Sequence, residues 1–443
     1  MVNEIKELLS ESNRVGLRRL LESMNIADIA GAFEELDKQE IVKAFRLLSK
    51  SKATDVFAYL NPDIQMLIIE SITDKEIGNV INDLFLDDAV DFIEEMPADV
   101  VTRVLANVTR DTRDMINQFL KYPADSAGSI MTIEYVDLKE HMTVEDAFSY
   151  IERVGTDKVT VYTCYVTDDK QKLIGTISAR TLLLADRSSV IGDIMETNVI
   201  RANTHDDQET VVNNIIRYGF MAMPVVDNED RLVGIVTFDD AFTVQEEETT
   251  EDFEKMAAIS PSEEPYLKTG VFSLSKHRIP WLLFLMIFAT FTGALVAMFE
   301  DSLAALPALV AFVPMLMNTG GNAGSQSTTL IIRGMALAEI DMSDMPRVLW
   351  TEILVSLVCG AGLAVSSLIS VFIFGEGLAL ALTVCAAMMA TIIMSNAIGV
   401  FMTFGARAAK MDPAVMAAPL LTNIVDALSL VIYFLLAKAI LRI

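Results

Sequence analysis

The sequence predicts a multidomain membrane protein: an all-α helical superhelix, an α/β tandem pair, and an α-helical transmembrane domain of five spans. Three observations predict it. Charge divides sharply, since residues 1–270 hold 26 Lys and Arg against 52 Asp and Glu, whereas 271–443 hold 8 against 9. The net charge of −27 therefore lies almost wholly in the first part, which reads as water-soluble. The second part contains five apolar stretches, at about 279–299, 303–332, 348–374, 378–404 and 413–440, each reaching the ~20 residues that cross ~30 Å of hydrocarbon. Within the acidic part, a segment from 126 to 245 repeats itself.

Residues 1–125 form the first domain. From about 16 to 120, "IADIAGAFEEL", "KQEIVKAFRLL", "ATDVFAYL", "PDIQMLIIESI", "KEIGNVINDLF", "DDAVDFIEEM" and "ADVVTRVLANV" each place apolar residues at i, i+3 and i+4. Asp, Asn-Pro and Pro-Ala mark the breaks, as helix starts do. No helix this short buries its stripe alone, so stacking into a small superhelix is expected. A generic bundle fits the pattern almost as well.

Residues 126–241 form the second. "AGSIMTIEYVDL" at 127–138 answers "IGDIMETNVIRA" at 191–202, "TVEDAFSYIERVG" answers "DQETVVNNIIRYG", and "TCYVTDDKQKLIGTISARTLL" answers "AMPVVDNEDRLVGIVTFDDAF". Each copy reads as an Ile-Met lead-in, an amphipathic helix, a strand, an acidic turn, and a strand running into a helix. In this order of elements the segment resembles a tandem pair of CBS domains. The resemblance implies a regulatory module, with an adenine nucleotide such as ATP, or ions, as its ligand.

Residues 242–270 connect to the membrane. An acidic helix is expected over 242–258, with Glu246, Glu247, Glu248, Glu251, Asp252 and Glu254 crowded on it. Like charges at i, i+4 repel, so a cation among them would stabilise it.

In the membrane domain, 271–443, the second span carries "PMLMNTGGNAGSQSTTLIIRG". Lipid rejects so many amides and hydroxyls, so this run must face protein or water. Gly320, Gly321 and Gly324 suggest a helix broken along a pathway. In the last span, Asp426 is the single charged residue between Pro413 and Ala437, with Thr422, Asn423, Ser429 and Tyr433 on or near its face. A carboxylate at that depth reads as a cation site on a transport pathway; the alternative is a carboxylate buried for packing specificity. Basic residues flank alternate loops: Lys268, Lys276 and Arg278 before the first span, Arg333 and Arg347 after the second, Arg407 and Lys410 after the fourth. The N-terminus is thus expected in the cytoplasm and, with five spans, the C-terminus outside a cell membrane. "MVNEIKELLSESNR" has no apolar core of a secretory signal, which agrees. Three cysteines and three histidines form no metal or catalytic constellation, so no enzyme is expected, and no nucleic-acid partner.

With "P…GGNAGSQS" and "DPAV…PLLTNIVDALSL" on the page, the whole chain is identified as a member of the MgtE family of magnesium channels and transporters. The resemblance implies a homodimer with its pore on the two-fold axis, gated by intracellular Mg2+. It implies pore residues at Asp426, Asn423, Thr422, Asn322, Gly320, Gly321 and, at the cytoplasmic end, Asp412. It also implies regulatory carboxylates among Asp87, Asp88, Asp91, Asp239, Asp240, Glu247, Glu251 and Asp252. A Na+- or H+-coupled transporter, even an exporter, would use the same polar residues.

Overall fold

The computed structural model describes residues 2–262, 266–267, 269–300, 304, 306–337, 339–416 and 418–442. The expected start of the second span at 303 and the flanking Lys268 lie outside the described residues. The chain divides into two compact units, ending and resuming between Gln245 and Glu246.

The first unit opens with ten short helices: α1 (Val2–Ser10), α2 (Arg14–Ser23), α3 (Ile26–Glu34), α4 (Lys38–Phe45), α5 (Lys50–Ala58), α6 (Pro62–Ser71), α7 (Asp74–Asp83), α8 (Leu86–Glu95), α9 (Ala98–Asn107) and α10 (Arg110–Phe119). Their starts are written in the sequence. Asn61 accepts from the Ile64 amide ahead of Pro62, and Thr73 and Glu76 close a reciprocal capping box. From α3 on, each helix packs on the second one along: α3 on α5, α5 on α7, α7 on α9, and α4 on α6, α6 on α8, α8 on α10. That alternation is a superhelix and not a generic bundle. Phe57 lies at its centre, edge-on to Phe45 and Phe92 at 6.4 and 5.3 Å.

The repeat follows. Its first copy holds β1 (Asp137–Lys139), α11 (Val144–Val154), β2 (Thr163–Thr167), β3 (Leu173–Ser178) and α12 (Ala179–Leu184). A short α13 (Ile191–Ile194) leads into the second, with β4 (Ala202–Asn203), α14 (Gln208–Tyr218), β5 (Ala222–Val226), β6 (Leu232–Thr237) and α15 (Phe238–Met256). Each sheet pairs its first two strands parallel and its last two antiparallel. The copies exchange their lead-in segments. Met131 of the first packs on Gly234 of the second, where a Cβ would sit 2.7 Å from its sulfur; Met195 of the second packs on Gly175 of the first. Backbone bridges Thr132–Ile235 and Thr176–Glu196 fix both exchanges. The superhelix and the second copy share one apolar core, from Ile5 through Phe92 to Val225 and Val244. The acidic helix expected over 242–258 is α15; it starts earlier, because it continues directly from β6.

The second unit contains α16 (Val271–Met298), α17 (Leu309–Ala336), α18 (Met345–Ile373), α19 (Leu378–Ala408) and α20 (Ala418–Leu441). Among the described residues four helices are long and apolar enough to cross a membrane: Val271–Met298, Met342–Ile373, Leu378–Ala408 and Pro419–Leu441. The fifth expected span corresponds to α17, which is 28 residues long but dilutes its apolar residues with amides and hydroxyls. It packs against both α19 and α20. The Tyr433 hydroxyl donates to the Leu309 carbonyl at 3.1 Å, tying the start of α17 to the end of α20.

Candidate metal centres

Glycine sets the geometry of the membrane helices. A Cβ on Gly320 would lie 2.6 Å from Thr391 Cγ2 and 3.0 Å from Val425 Cγ1, and one on Gly321 would lie 2.8 Å from Thr422 Cγ2. The Ser395 hydroxyl donates to the Gly320 carbonyl at 2.6 Å. These glycines therefore let α19 and α20 approach the backbone of α17. The expected break is not there: α17 runs unbroken through Gly320, Gly321 and Gly324. In a dry environment the i→i−4 hydrogen bonds hold the helix, and glycine's conformational freedom is offset by close packing. Gly320→Val should leave little folded protein, since overpacking costs about 1–3 kcal/mol or more; thermal melting in detergent against wild type measures it.

The other face of α17 is polar and uncovered. Asn318, Asn322, Gln326 and Thr329 fall at i, i+4, i+8 and i+11, and all four are exposed in the single chain. At the α17–α20 crossing, where Gly321 meets Thr422, stand Thr422, Asn423 and, one turn on, Asp426. The Asn423 amide donates to the Pro419 carbonyl at 2.8 Å, which leaves its own oxygen as an acceptor. Asp426 is half-buried, and its Oδ1 is buried with no hydrogen-bond partner; the Ser429 hydroxyl one turn later is in the same state. An anionic oxygen held without a donor suits a cation or its water. The crossing sets Gly320 against Val425 and Ser429 and Gly321 against Thr422; Asn423 and Asp426 lie on the same stretch of α20, and Asn322 follows Gly321 on α17.

Asp412 stands elsewhere. It precedes a 3-10 turn, Pro413–Met416, where its Oδ1 accepts from the Ala414 amide at 2.8 Å. Its Oδ2 lies 2.7 Å from Lys255 Nζ, which is also 2.7 Å from Glu251 Oε1. Burial opposes the charge on Lys255, but the hydrogen bonds from Asp412 and Glu251 outweigh it and hold the ammonium above its usual range. Asp252 next door is pushed up to about 6, by burial first and then by Asp412. Glu247 lies one turn before Glu251 on the same helix.

The remaining regulatory candidates gather in the first unit, at the start of α8 and the start of α15. Burial, followed by the negative charges of Asp88, Asp240 and Glu134, raises Asp87 well above the usual carboxylate range, and its Oδ1 has no partner. Asp88 is pushed up to about 6 by burial and by Asp240, Glu134 and Asp239. Asp91 shifts the same way, although its side chain is exposed and water screens it. Asp240 is raised by burial against the opposing hydrogen bond from the Thr237 hydroxyl. So Asp87, Asp88, Asp91, Asp239 and Asp240 form one mutually repelling group. Two residues beside the candidate carboxylates went unmarked in the sequence, Glu134 near this group and Lys255 against Glu251 and Asp412. Glu134 sits in a lead-in segment with no pattern to flag it, whereas Lys255 carried a signal, its i, i+4 spacing from Glu251. Among the described residues no three Asp, Glu, His or Cys side chains converge tightly enough to strip and hold a bare ion.

Known proteins agree with this layout. Residues 313–436 match the family described as MgtE, divalent cation transporter; 24–125 match the MgtE intracellular N domain; 127–188 and 191–247 match the CBS domain. The chain is 34% identical to the magnesium transporter MgtE of Thermus thermophilus, over 99% of this chain and 98% of that protein. It is 31% identical to the Bacillus subtilis magnesium transporter MgtE, over 87% and 85%. Among solved structures it is similar to the cytosolic domain of the Mg2+ channel MgtE in complex with ATP, at 33% identity and a TM-score of 0.53, over 55% of this chain and all of that one. On matches of this extent, the chain belongs to the MgtE family of divalent cation transporters.

Proposed function

We propose that this protein carries Mg2+ across the cell membrane along a path lined by Asp426 and the polar face of α17, and closes that path when intracellular Mg2+ is abundant. The observation that carries the reading is the partnerless Asp426 oxygen, in an otherwise lipid-compatible helix beside an exposed stripe of amides. Mg2+ is hard and octahedral and dehydrates reluctantly, so it is held by one or two carboxylates and several of its own waters. One Asp426 per chain suits that chemistry when two chains face each other. The stripe of Asn318, Asn322, Gln326 and Thr329 cannot face lipid, which supports a homodimer with the pathway between copies. Asn322, Asn423 and Thr422 would then accept hydrogen bonds from the ion's water shell. Gly320 and Gly321 act as spacers that place them.

Regulation rests on the repelling carboxylates. With little Mg2+, Asp87, Asp88 and Asp91 push against Asp239, Asp240 and Glu134; bound Mg2+ would relieve that repulsion and draw the groups together. Glu247, Glu251, Asp252 and Asp412 extend the same chemistry to the connecting helix. The N-terminal unit is then cytoplasmic, where it samples the regulated pool, and the C-terminus lies outside. An adenine nucleotide is the ligand to test at the CBS pair. Lys139, Arg201 and Arg231 are already committed to Asp137, Asp230 and Asp227, so phosphates would have to find other cations there, and no transport step runs through the nucleotide.

Purified protein in liposomes tests the reading. Mg2+ uptake should follow the Mg2+ gradient and the membrane voltage, unchanged by imposed Na+ or H+ gradients. Uptake that requires either gradient would instead make it a coupled transporter.

A further inference from the structure

Helix α15 carries eight acidic residues and a single basic one, Lys255. That lysine does not extend into solvent: its side chain is 22% exposed, against 38% for Glu251 and 33% for Asp412. An ammonium has three donors and no acceptor. Two of them go to carboxylates, one a turn back on α15 and one far along the chain, just before the turn leading into α20, both at 2.7 Å. Asp252 follows Glu251 and is raised by burial and then by Asp412, so a third carboxyl feels the same charges without touching the ammonium. A divalent cation bridging Glu251 and Asp412 would need the space and the lone pairs that Lys255 Nζ now occupies.

We infer that Lys255 is a tethered cation that holds the end of α15 on Asp412 when divalent ions are scarce, and competes with them for the Glu251 and Asp412 oxygens when they are plentiful. The lysine thereby sets the Mg2+ concentration at which this end of the helix responds. Its charge of +1 covers part of a cluster of −3, and a divalent ion covers more. Exchange of one for the other docks the helix more firmly, because the divalent ion neutralises more of the carboxylate charge. This inference rests on the proposed Mg2+ regulation for its second half only. The first half, docking by the ammonium, stands on the contacts alone.

Amide hydrogen exchange over residues 246–256 of the full-length protein tests it, with Mg2+ titrated at constant ionic strength to remove general screening. K255Q should exchange at least about fivefold faster than wild type in metal-free buffer, the factor that a partly exposed ion pair supports. It should then regain protection at a Mg2+ concentration roughly fivefold lower than wild type needs, because the competing charge is gone. K255R keeps the charge and should stay near wild type in both, which separates loss of the cation from a general folding defect. In a D412N background, K255Q should no longer move the midpoint. Equal metal-free exchange in wild type and K255Q, or a midpoint that stays or rises, overturns the inference. A wild type whose exchange ignores Mg2+ altogether sinks the regulatory reading, while the metal-free comparison still decides whether Lys255 docks the helix.

Discussion

Asp426→Asn lowers Mg2+ flux by roughly a hundredfold or more, since losing even an outer partner of a metal site costs about 10–100-fold and this residue supplies the site's charge. The substitution keeps shape nearly constant, and it removes a buried anionic oxygen that no protein donor contacts. The variant should therefore melt at or above the wild-type temperature in detergent while failing to load liposomes with Mg2+. A loss of flux together with a loss of folded protein would point to packing. Wild-type flux with unchanged selectivity would remove Asp426 from the pathway. Both readouts are needed, because Ser429 and Thr391, which meet at Gly320 in the same crossing, are also buried without partners.

The second large effect concerns the first unit, residues 1–245. Its carboxylates are raised in the folded state, so the sign of the pH dependence runs opposite to that of most acidic proteins. Asp88, held up to about 6 from an ordinary 3.8, is favoured in its neutral form when folded. Its contribution is fully present below about pH 4 and is lost as pH rises toward about 6. Asp87, Asp91 and Asp240 shift in the same direction. Carboxyls held low by hydrogen bonds, such as Glu76 and Asp168, titrate below this window. Metal-free protein should thus melt roughly 5 °C lower at pH 8 than at pH 5.5, a shift of about 1–2 kcal/mol in a unit this size. Millimolar Mg2+ should restore the difference at pH 8 and do little at pH 5.5, where protons already neutralise the group. Neutralising Asp88 and Asp240 together should raise the metal-free melting temperature at pH 8 and erase the response to Mg2+. A Mg2+ response that survives both substitutions would place regulation elsewhere.

Much of this was legible because periodicity is local. The 3.6-residue stripes of the superhelix, the repeated order of strand and helix, and the apolar lengths all lie within windows of 10–30 residues. The lone Asp426 was equally readable, since lipid permits so few charges. What could not be read depended on partners far along the chain. Gly320 and Gly321 suggested an unwound helix; the side chains that fill the space beside them, Thr391, Val425 and Thr422, lie some 70–105 residues later. The same residue type serves a break or a close approach, and only the opposing surface decides which. Glu134 belongs to a lead-in segment whose role depends on an exchange between copies. Lys255 has a local partner in Glu251, but its second partner, Asp412, lies 157 residues away.

The exchanged lead-in segments also bear on how the chain is made. Met131 finds its seat on Gly234, which is synthesised 103 residues later, and Gly175 waits for Met195. At typical rates of synthesis Met131 spends about 5–20 s without its partner. The superhelix, whose contacts are nearly all between close neighbours, can be complete in that interval. Neither half of the repeat can finish alone, so the two close together once β6 leaves the ribosome, just before α15 and the first apolar helix follow. The order of the sequence thus delivers a finished acidic unit at about the moment the membrane segments begin to emerge.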